Sequence, residues 1–183
     1  FGSYIEKEGA IRCCTASWRR MNDTNMPPRV KISGNYVNSI LAKTEAVMAG
    51  FDEGIMLNQD GSVSEGTGEN LFLVIDGKIH TPSLENNILT GITRDSVFKL
   101  IKNELNLEVV ERPIDRSEIY LADEMFLTGT AAHVTPVGEL DNRKIGSGLV
   151  GSVTEKLSSI YAKVIRGEEK AYLDWCTPIS VNS

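Results

Sequence analysis

The chain has 183 residues, 41% hydrophobic and 24% charged, which suits one soluble domain with a real core. Its formal net charge of -6 argues against a nucleic-acid binder with a basic face, though backbone amides can still build a local anion site. No apolar run approaches the ~20 residues of a membrane span.

In chain order, residues 9–15 are β-prone, with Ile11, Cys13 and Thr15 on one alternating face. Residues 22–28 read as a loop, because Pro27-Pro28 excludes regular helix, and 29–32 as a short extended segment. Ser33 is placed to N-cap a helix running to about Ala49. Tyr36, Val37, Ile40, Leu41, Thr44, Val47 and Met48 fit its buried face, and Gly50 stops it. Residues 55–81 read as strands joined by turns at Asp60-Gly61 and Asp76-Gly77. Gly91-Ile92-Thr93 leads into a helix to about Leu105, with Val97, Leu100, Ile101 and Leu105 on one side. Residues 107–110 form a strand. Asp115 with Glu118 has capping-box spacing and opens a short helix through Leu121. Residues 125–128 and 134–140 are strands around a turn at Gly129-Thr130. Ser152 with Glu155 is a second capping box, opening a helix to about Ile165, and Trp175 packs on the core. The pattern predicts one α+β domain over 1–183, mostly antiparallel strands with helices outside.

Cys13 and Cys14 are adjacent and Cys176 is remote, an odd number that suits reduced thiols in a cytoplasmic protein. His80 and His133 stand alone, so no metal is expected.

Chemistry concentrates in Ser64-Glu65-Gly66-Thr67-Gly68-Glu69-Asn70-Leu71-Phe72, where two carboxylates sit among glycines just before an apolar strand. Glycine lets a ligand approach the main chain closely. Taken alone, the stretch reads as readily as a surface turn with solvated carboxylates. Three further blocks accompany it: Lys31-Ile32-Ser33-Gly34-Asn35-Tyr36, Leu89-Thr90-Gly91-Ile92-Thr93-Arg94, and Leu121-Ala122-Asp123-Glu124 with Thr128-Gly129-Thr130-Ala131-Ala132. Together, and in this order, the four resemble the signatures of branched-chain amino-acid aminotransferases, pyridoxal 5′-phosphate enzymes of class IV and fold type IV. Thr90 stands where the family has proline, and His133 where it often has glutamate.

The resemblance implies a fold: the large cofactor-binding domain, an antiparallel β pseudo-barrel with surrounding helices. It also implies roles. Lys31 matches the lysine that carries the cofactor, and it lies outside any predicted helix face, unlike Lys99, Lys102, Lys156 and Lys163. Glu65 matches the carboxylate at the pyridine nitrogen, and Tyr36 the tyrosine at the ring oxygen. Leu89 is assigned to the pyridine face. Ile92, Thr93 and Thr130 are assigned to the phosphate, with Gly91 and Gly129 in the turns that supply N–H donors. The backbone at Thr130, Ala131 and Ala132 would meet the substrate carboxylate, and Tyr4 matches a tyrosine of the substrate pocket. The implied reaction exchanges an amino group between leucine, isoleucine or valine and 2-oxoglutarate. The alternatives are another class IV enzyme (a D-amino-acid aminotransferase or aminodeoxychorismate lyase) and a non-catalytic ligand-binding fragment. The family's N-terminal small domain is absent from these residues, so the chain alone is expected to fold but show little activity. A homo-oligomer is expected of the complete enzyme, with no nucleic-acid or membrane partner.

Overall fold

Alternation along the strands builds two cores from one sheet. In β4 (Asn70–Ile75), Leu71 and Leu73 face one side and Phe72 and Val74 the other, and all four are buried. The structure is a computed structural model that describes residues 9–179. The other strands are β1 (Ile11–Thr15), β2 (Glu53–Leu57), β3 (Val63–Gly66), β5 (Lys78–Thr81), β6 (Val109–Glu111), β7 (Glu124–Gly129), β8 (His133–Leu140) and β9 (Arg143–Lys144). Their spatial order is β3-β2-β1-β8-β7-β4-β5-β6, with β9 on β8. The helices are α1 (Tyr36–Met48), α2 (Ile92–Leu100), α3 (Arg116–Ile119) and α4 (Ser152–Ile165).

The expected α+β class holds, as a mixed and curled half-barrel. β1 runs parallel to both β2 and β8, and β5 to β6, while the remaining pairs are antiparallel. Parallel neighbours need crossover connections, and α1 supplies the one between β1 and β2. The curl brings the far edges together: Ser62 bridges Asp115, and Val63 N–H donates to the Ile114 carbonyl. Inside the curl lie Ile11, Cys13, Ile55, Leu71, Met125, Leu127 and Val137. On the outer face α2 and α4 cover the sheet through Val97, Leu100, Leu157 and Tyr161, over Phe72 stacked on Phe126 at 4.9 Å. Trp175 joins this second core, 4.7 Å from the Tyr172 ring.

Four expectations need correction. The predicted face of α1 points outward: Val37, Ile40, Val47 and Met48 are exposed, whereas Ser39, Ala42 and Ala46 are buried. The helix lies so close to β2 that a Cβ at Gly54 would sit 3.6 Å from Ala46 Cβ, leaving room only for small side chains. Ser33 caps nothing through its side chain; it opens a 3-10 turn, Ser33–Asn35, that leads into α1. Ser152 is the first residue of α4 rather than its cap. The carboxylate of Glu124 on β7 accepts from Val153 N–H, Thr154 N–H and the Thr154 hydroxyl, so the capping group arrives from distant sequence. The predicted helix to Leu105 is α2 followed by a π-helical turn, Ile101–Leu105, and the next strand begins at Val109. The capping box at α3 is present, with Asp115 N–H donating to Glu118 Oε1 at 2.8 Å.

Candidate active site

Four backbone features converge on a cavity of about 220 Å³. They are the segment before α1, the turn between β3 and β4, the start of α2 and the end of β7. Lys31, Tyr36, Glu65, Leu89, Gly91, Ile92, Thr93, Gly129 and Thr130 all line it, although they span a hundred positions of sequence.

Lys31 is held at the mouth. Its Nζ donates to Tyr36 Oη at 2.8 Å, five residues on and the first residue of α1. The loop that presents it is closed by Asn35, whose buried amide donates to the carbonyls of Pro27 and Val30 at 2.9 Å each. The Pro27 and Val30 carbonyls already accept the N–H groups of Val30 at 3.2 Å and Ile32 at 3.0 Å, so the Asn35 amide adds a second donor to each and ties the loop to the start of α1.

Glu65 forms the floor. It is 4% exposed on β3, with Oε1 at 2.6 Å from Arg20 Nη2. Its Oε2 accepts from Asn70 Nδ2 at 2.9 Å and from Leu89 N–H at 3.0 Å. Asn70 also donates to the Leu89 carbonyl at 2.9 Å, tying β4 to the segment that enters α2. Burial pushes the Glu65 carboxyl up to about 7, opposed by the Arg20 guanidinium and the Leu89 N–H. A carboxyl so placed can share a proton with a basic ring nitrogen near neutral pH. Arg20, Asn35 and Asn70 were not singled out by sequence reasoning for this work. For Asn70 a signal existed, since an amide on a strand directly after two glycines and a glutamate is poorly explained by packing.

Gly91 N-caps α2, and a Cβ there would fall on Asn70 Oδ1, so only glycine lets the helix start this near the floor. Ile92 and Thr93 follow as the first helical residues, whose N–H groups have no partner within the helix. Gly129 and Thr130 bring a second backbone turn to the same cavity. Ala131 and Ala132 follow Thr130 but do not line the cavity, and Tyr4 lies outside the described residues. His133 takes a left-handed φ of 57° and sets its ring 6.0 Å from Tyr161 of α4, on the outer face of the sheet. The Thr128 hydroxyl and Asn35 Oδ1, both in lining residues, are buried without a hydrogen-bond partner. Among the described residues no group of three or more His, Cys, Asp and Glu is arranged to hold a metal ion, and no helix is long and apolar enough to cross a membrane.

The sequence over residues 2–140 matches the model of the amino-transferase class IV family. A probable branched-chain-amino-acid aminotransferase of Aquifex aeolicus (strain VF5) is 54% identical over 179 residues, which is 98% of this chain and 58% of that protein. The crystal structure of a branched-chain amino acid aminotransferase from Thermobaculum terrenum in its PLP form superposes with a TM-score of 0.91 at 44% identity, covering 94% of this chain and 56% of that one. A branched-chain aminotransferase from Thermoproteus uzoniensis, solved with norvaline, also gives 0.91 at 44% identity, over 97% of this chain and 58% of that one. The chain thus spans a little over half the length of the relatives it matches. With the match running through the segments that carry Lys31, Glu65 and Gly91-Ile92-Thr93, the chain belongs to the class IV aminotransferases.

Proposed function

We propose that this chain is the cofactor-binding large domain of a pyridoxal 5′-phosphate-dependent branched-chain amino-acid aminotransferase, acting on leucine, isoleucine or valine with 2-oxoglutarate. The observation that carries the reading is the sharing of one cavity by a lysine amine held at 2.8 Å by a tyrosine hydroxyl and a buried carboxyl held by an arginine. The residues fit the cofactor. A phosphate has N–H donors at the start of α2, where Gly91 keeps the approach clear, and the partnerless Thr128 hydroxyl lies in the same lining.

When bound, pyridoxal phosphate supplies an electron sink for the electron pair left at the substrate Cα. Lys31 attaches the cofactor and carries the proton to and from that carbon, with Tyr36 Oη fixing the direction of its Nζ. Glu65 holds a proton at the pyridine nitrogen, and Arg20 and Asn70 fix its two oxygens. Leu89 covers the pyridine face. Gly91, Ile92, Thr93, Gly129 and Thr130 hold the phosphate. Thr130, Ala131 and Ala132 meet the substrate carboxylate, and Tyr4 matches a tyrosine of the family's substrate pocket. The mouth, with Lys31, Ile92, Thr130 and Ala131 exposed, is covered in the complete enzyme by a small domain outside these residues. The complete enzyme is a cytoplasmic homo-oligomer, a reading supported by the free thiols at Cys13 and Cys14 and the outward apolar face of α1. Alone, the 183-residue chain binds the cofactor weakly and turns over little.

Borohydride reduction with pyridoxal phosphate, followed by peptide mapping, tests the assignment. The expected label is on Lys31; a label elsewhere, or none in the complete enzyme, overturns it. A panel of amino donors separates branched-chain specificity from a D-amino-acid enzyme of the same class.

A further inference from the structure

The second carboxylate of the signature, Glu69, is also buried at 6% exposure, and it lines the same cavity. Unlike Glu65, it has no arginine at its oxygens among the described residues. Its Oε2 accepts from Gly68 N–H at 3.0 Å, folding the side chain back over its own turn. Its methylene chain lies along the Gly129 backbone: a Cβ built at Gly129 would lie 3.4 Å from Glu69 Cγ and 3.3 Å from the Gly68 carbonyl. We propose that Glu69 sets how tightly this pocket holds a carboxylate ligand: its carboxylate, held at the Gly68 N–H, shares the cavity lining with Gly129 and Thr130 and opposes an anion bound at their turn. This rests on the reading above, in which that turn meets the substrate carboxylate; it adds a residue that tunes the site without holding the cofactor.

The groups that face Glu69 come from each neighbouring element. β1 contributes Cys13, β2 Glu53, α1 Lys43 and β3 Glu65, while β7 brings only the Gly129 backbone. Lys43 is the cation of the cluster, but its Nζ is directed to Glu53 Oε2 and the Asp52 carbonyl at 2.6 Å each. Glu53 is wholly buried, and its Oε1 also takes Gly54 N–H at 2.8 Å and the Thr67 hydroxyl at 2.6 Å. Glu53 is thus neutralised in place, and Glu69 is left with backbone help. Burial first, and Glu53 second, push the Glu69 carboxyl up to about 7, against the pull of Gly68 N–H and Lys43.

An anion arriving at the turn raises the proton affinity of Glu69 further, so binding takes up a proton near neutral pH. By linkage, affinity is constant while Glu69 is protonated in both states and falls as pH rises through its free value. If binding raises its pKa by about one unit, the dissociation constant grows by about tenfold across the transition.

The probe is 4-methylvaleric acid, a carboxylate without an amine to react, titrated into the cofactor-loaded enzyme by calorimetry between pH 5.5 and 9 in buffers of different ionisation enthalpy. The expected result is proton uptake near pH 7 and a dissociation constant that rises about tenfold to pH 9, both abolished in Glu69→Gln and in Glu69→Ala. A flat profile in the wild type, no uptake, or the same rise in either variant overturns the proposal. Glu65 shares the cavity and is pushed up to about 7 as well, so Glu65→Gln serves as the second variant: uptake that persists there supports Glu69 even if neither Glu69 variant folds, and its loss there overturns the proposal. Failure of the aminotransferase reading itself has a separate signature, the absence of a borohydride-reducible label on Lys31.

Discussion

The floor of the cavity and its mouth are built by different means. At the floor, Arg20, Glu65 and Asn70 are each less than a tenth exposed, and Glu65 meets Arg20 from far along the sequence and Asn70 across a turn. At the mouth, Lys31, Ile92, Thr130 and Ala131 are exposed, and the lysine's recorded hydrogen bond is local, to Tyr36. Charge at the floor is therefore preorganised by the curled sheet itself, where low dielectric magnifies it. Chemistry at the mouth is set by a short loop in contact with solvent. The difference teaches that the described residues fix charge at the floor and leave the mouth open to solvent, and substitutions should divide along the same line.

The largest effect is expected at the mouth. Lys31→Ala should abolish both the reducible cofactor label and transamination, while the melting temperature stays within a degree or two, because an exposed side chain with one local partner adds little stability. Mass spectrometry after reduction and a thermal scan check both halves. A large fall in melting temperature would mean that the mouth is as structural as the floor.

The floor should behave in the opposite way. Arg20 pairs with Glu65, and its guanidinium also donates to Ser39 Oγ and the Asn87 carbonyl at 3.3 Å each, joining β3, α1 and the segment before α2. Arg20→Met leaves a buried carboxylate unpaired, which commonly costs about 3–5 kcal/mol. Denaturant unfolding of the ligand-free protein measures it, and a loss under 1 kcal/mol would show that Glu65 simply takes up a proton and needs no partner. Glu65→Gln is milder for the fold, since the amide keeps the shape of the carboxylate. The expected loss is in rate, on the order of 10²-fold or more, for want of one preorganised charge at the ring. The cofactor label on Lys31 should persist. Unchanged turnover would remove Glu65 from the pyridine nitrogen.

The mouth was the more legible half. Lys31, Tyr36 and Gly91-Ile92-Thr93 are local patterns, and each lies at the cavity through nothing more than a turn or a helix start. The floor was half legible. Glu65 stood out just before two glycines, but Arg20 reads in sequence as one of two arginines after a strand, and only the parallel pairing of β1 with β2 brings it over Glu65. The same limit applies to capping: Asp115 and Glu118 are three residues apart and were readable, whereas the cap of α4 comes from Glu124. Strand positions from 55 to 81 followed from an apolar run and the Asp-Gly turns, yet the parallel pairs did not, because pairing order is not encoded in any single strand.

The smallest expected effect, and the one that sharpens what sequence periodicity can tell, concerns α1. At roughly 100° per residue its apolar positions 37, 40, 41, 47 and 48 cluster on one side and 39, 42 and 46 on the opposite one. A reading by hydropathy alone buries the first set; the structure buries the second, with Ala42 and Ala46 fully enclosed and Ile40 60% exposed. The reason is steric. Gly54 on β2 faces the helix so closely that a Cβ there would lie 3.3 Å from the Ala42 carbonyl, a spacing that larger side chains on the helix would prevent. Ala46→Leu should therefore overpack the contact and destabilise by about 1–3 kcal/mol. Ile40→Glu, on the outward face, should change stability by no more than about 0.5 kcal/mol in the isolated 183-residue chain. Paired denaturant curves on the two variants decide between the faces. Equal losses would mean that the apolar face of α1 is covered in solution as well. In that case the loss at Ile40→Glu should shrink on dilution, as it does when a self-associating surface comes apart, while the loss at Ala46→Leu stays fixed.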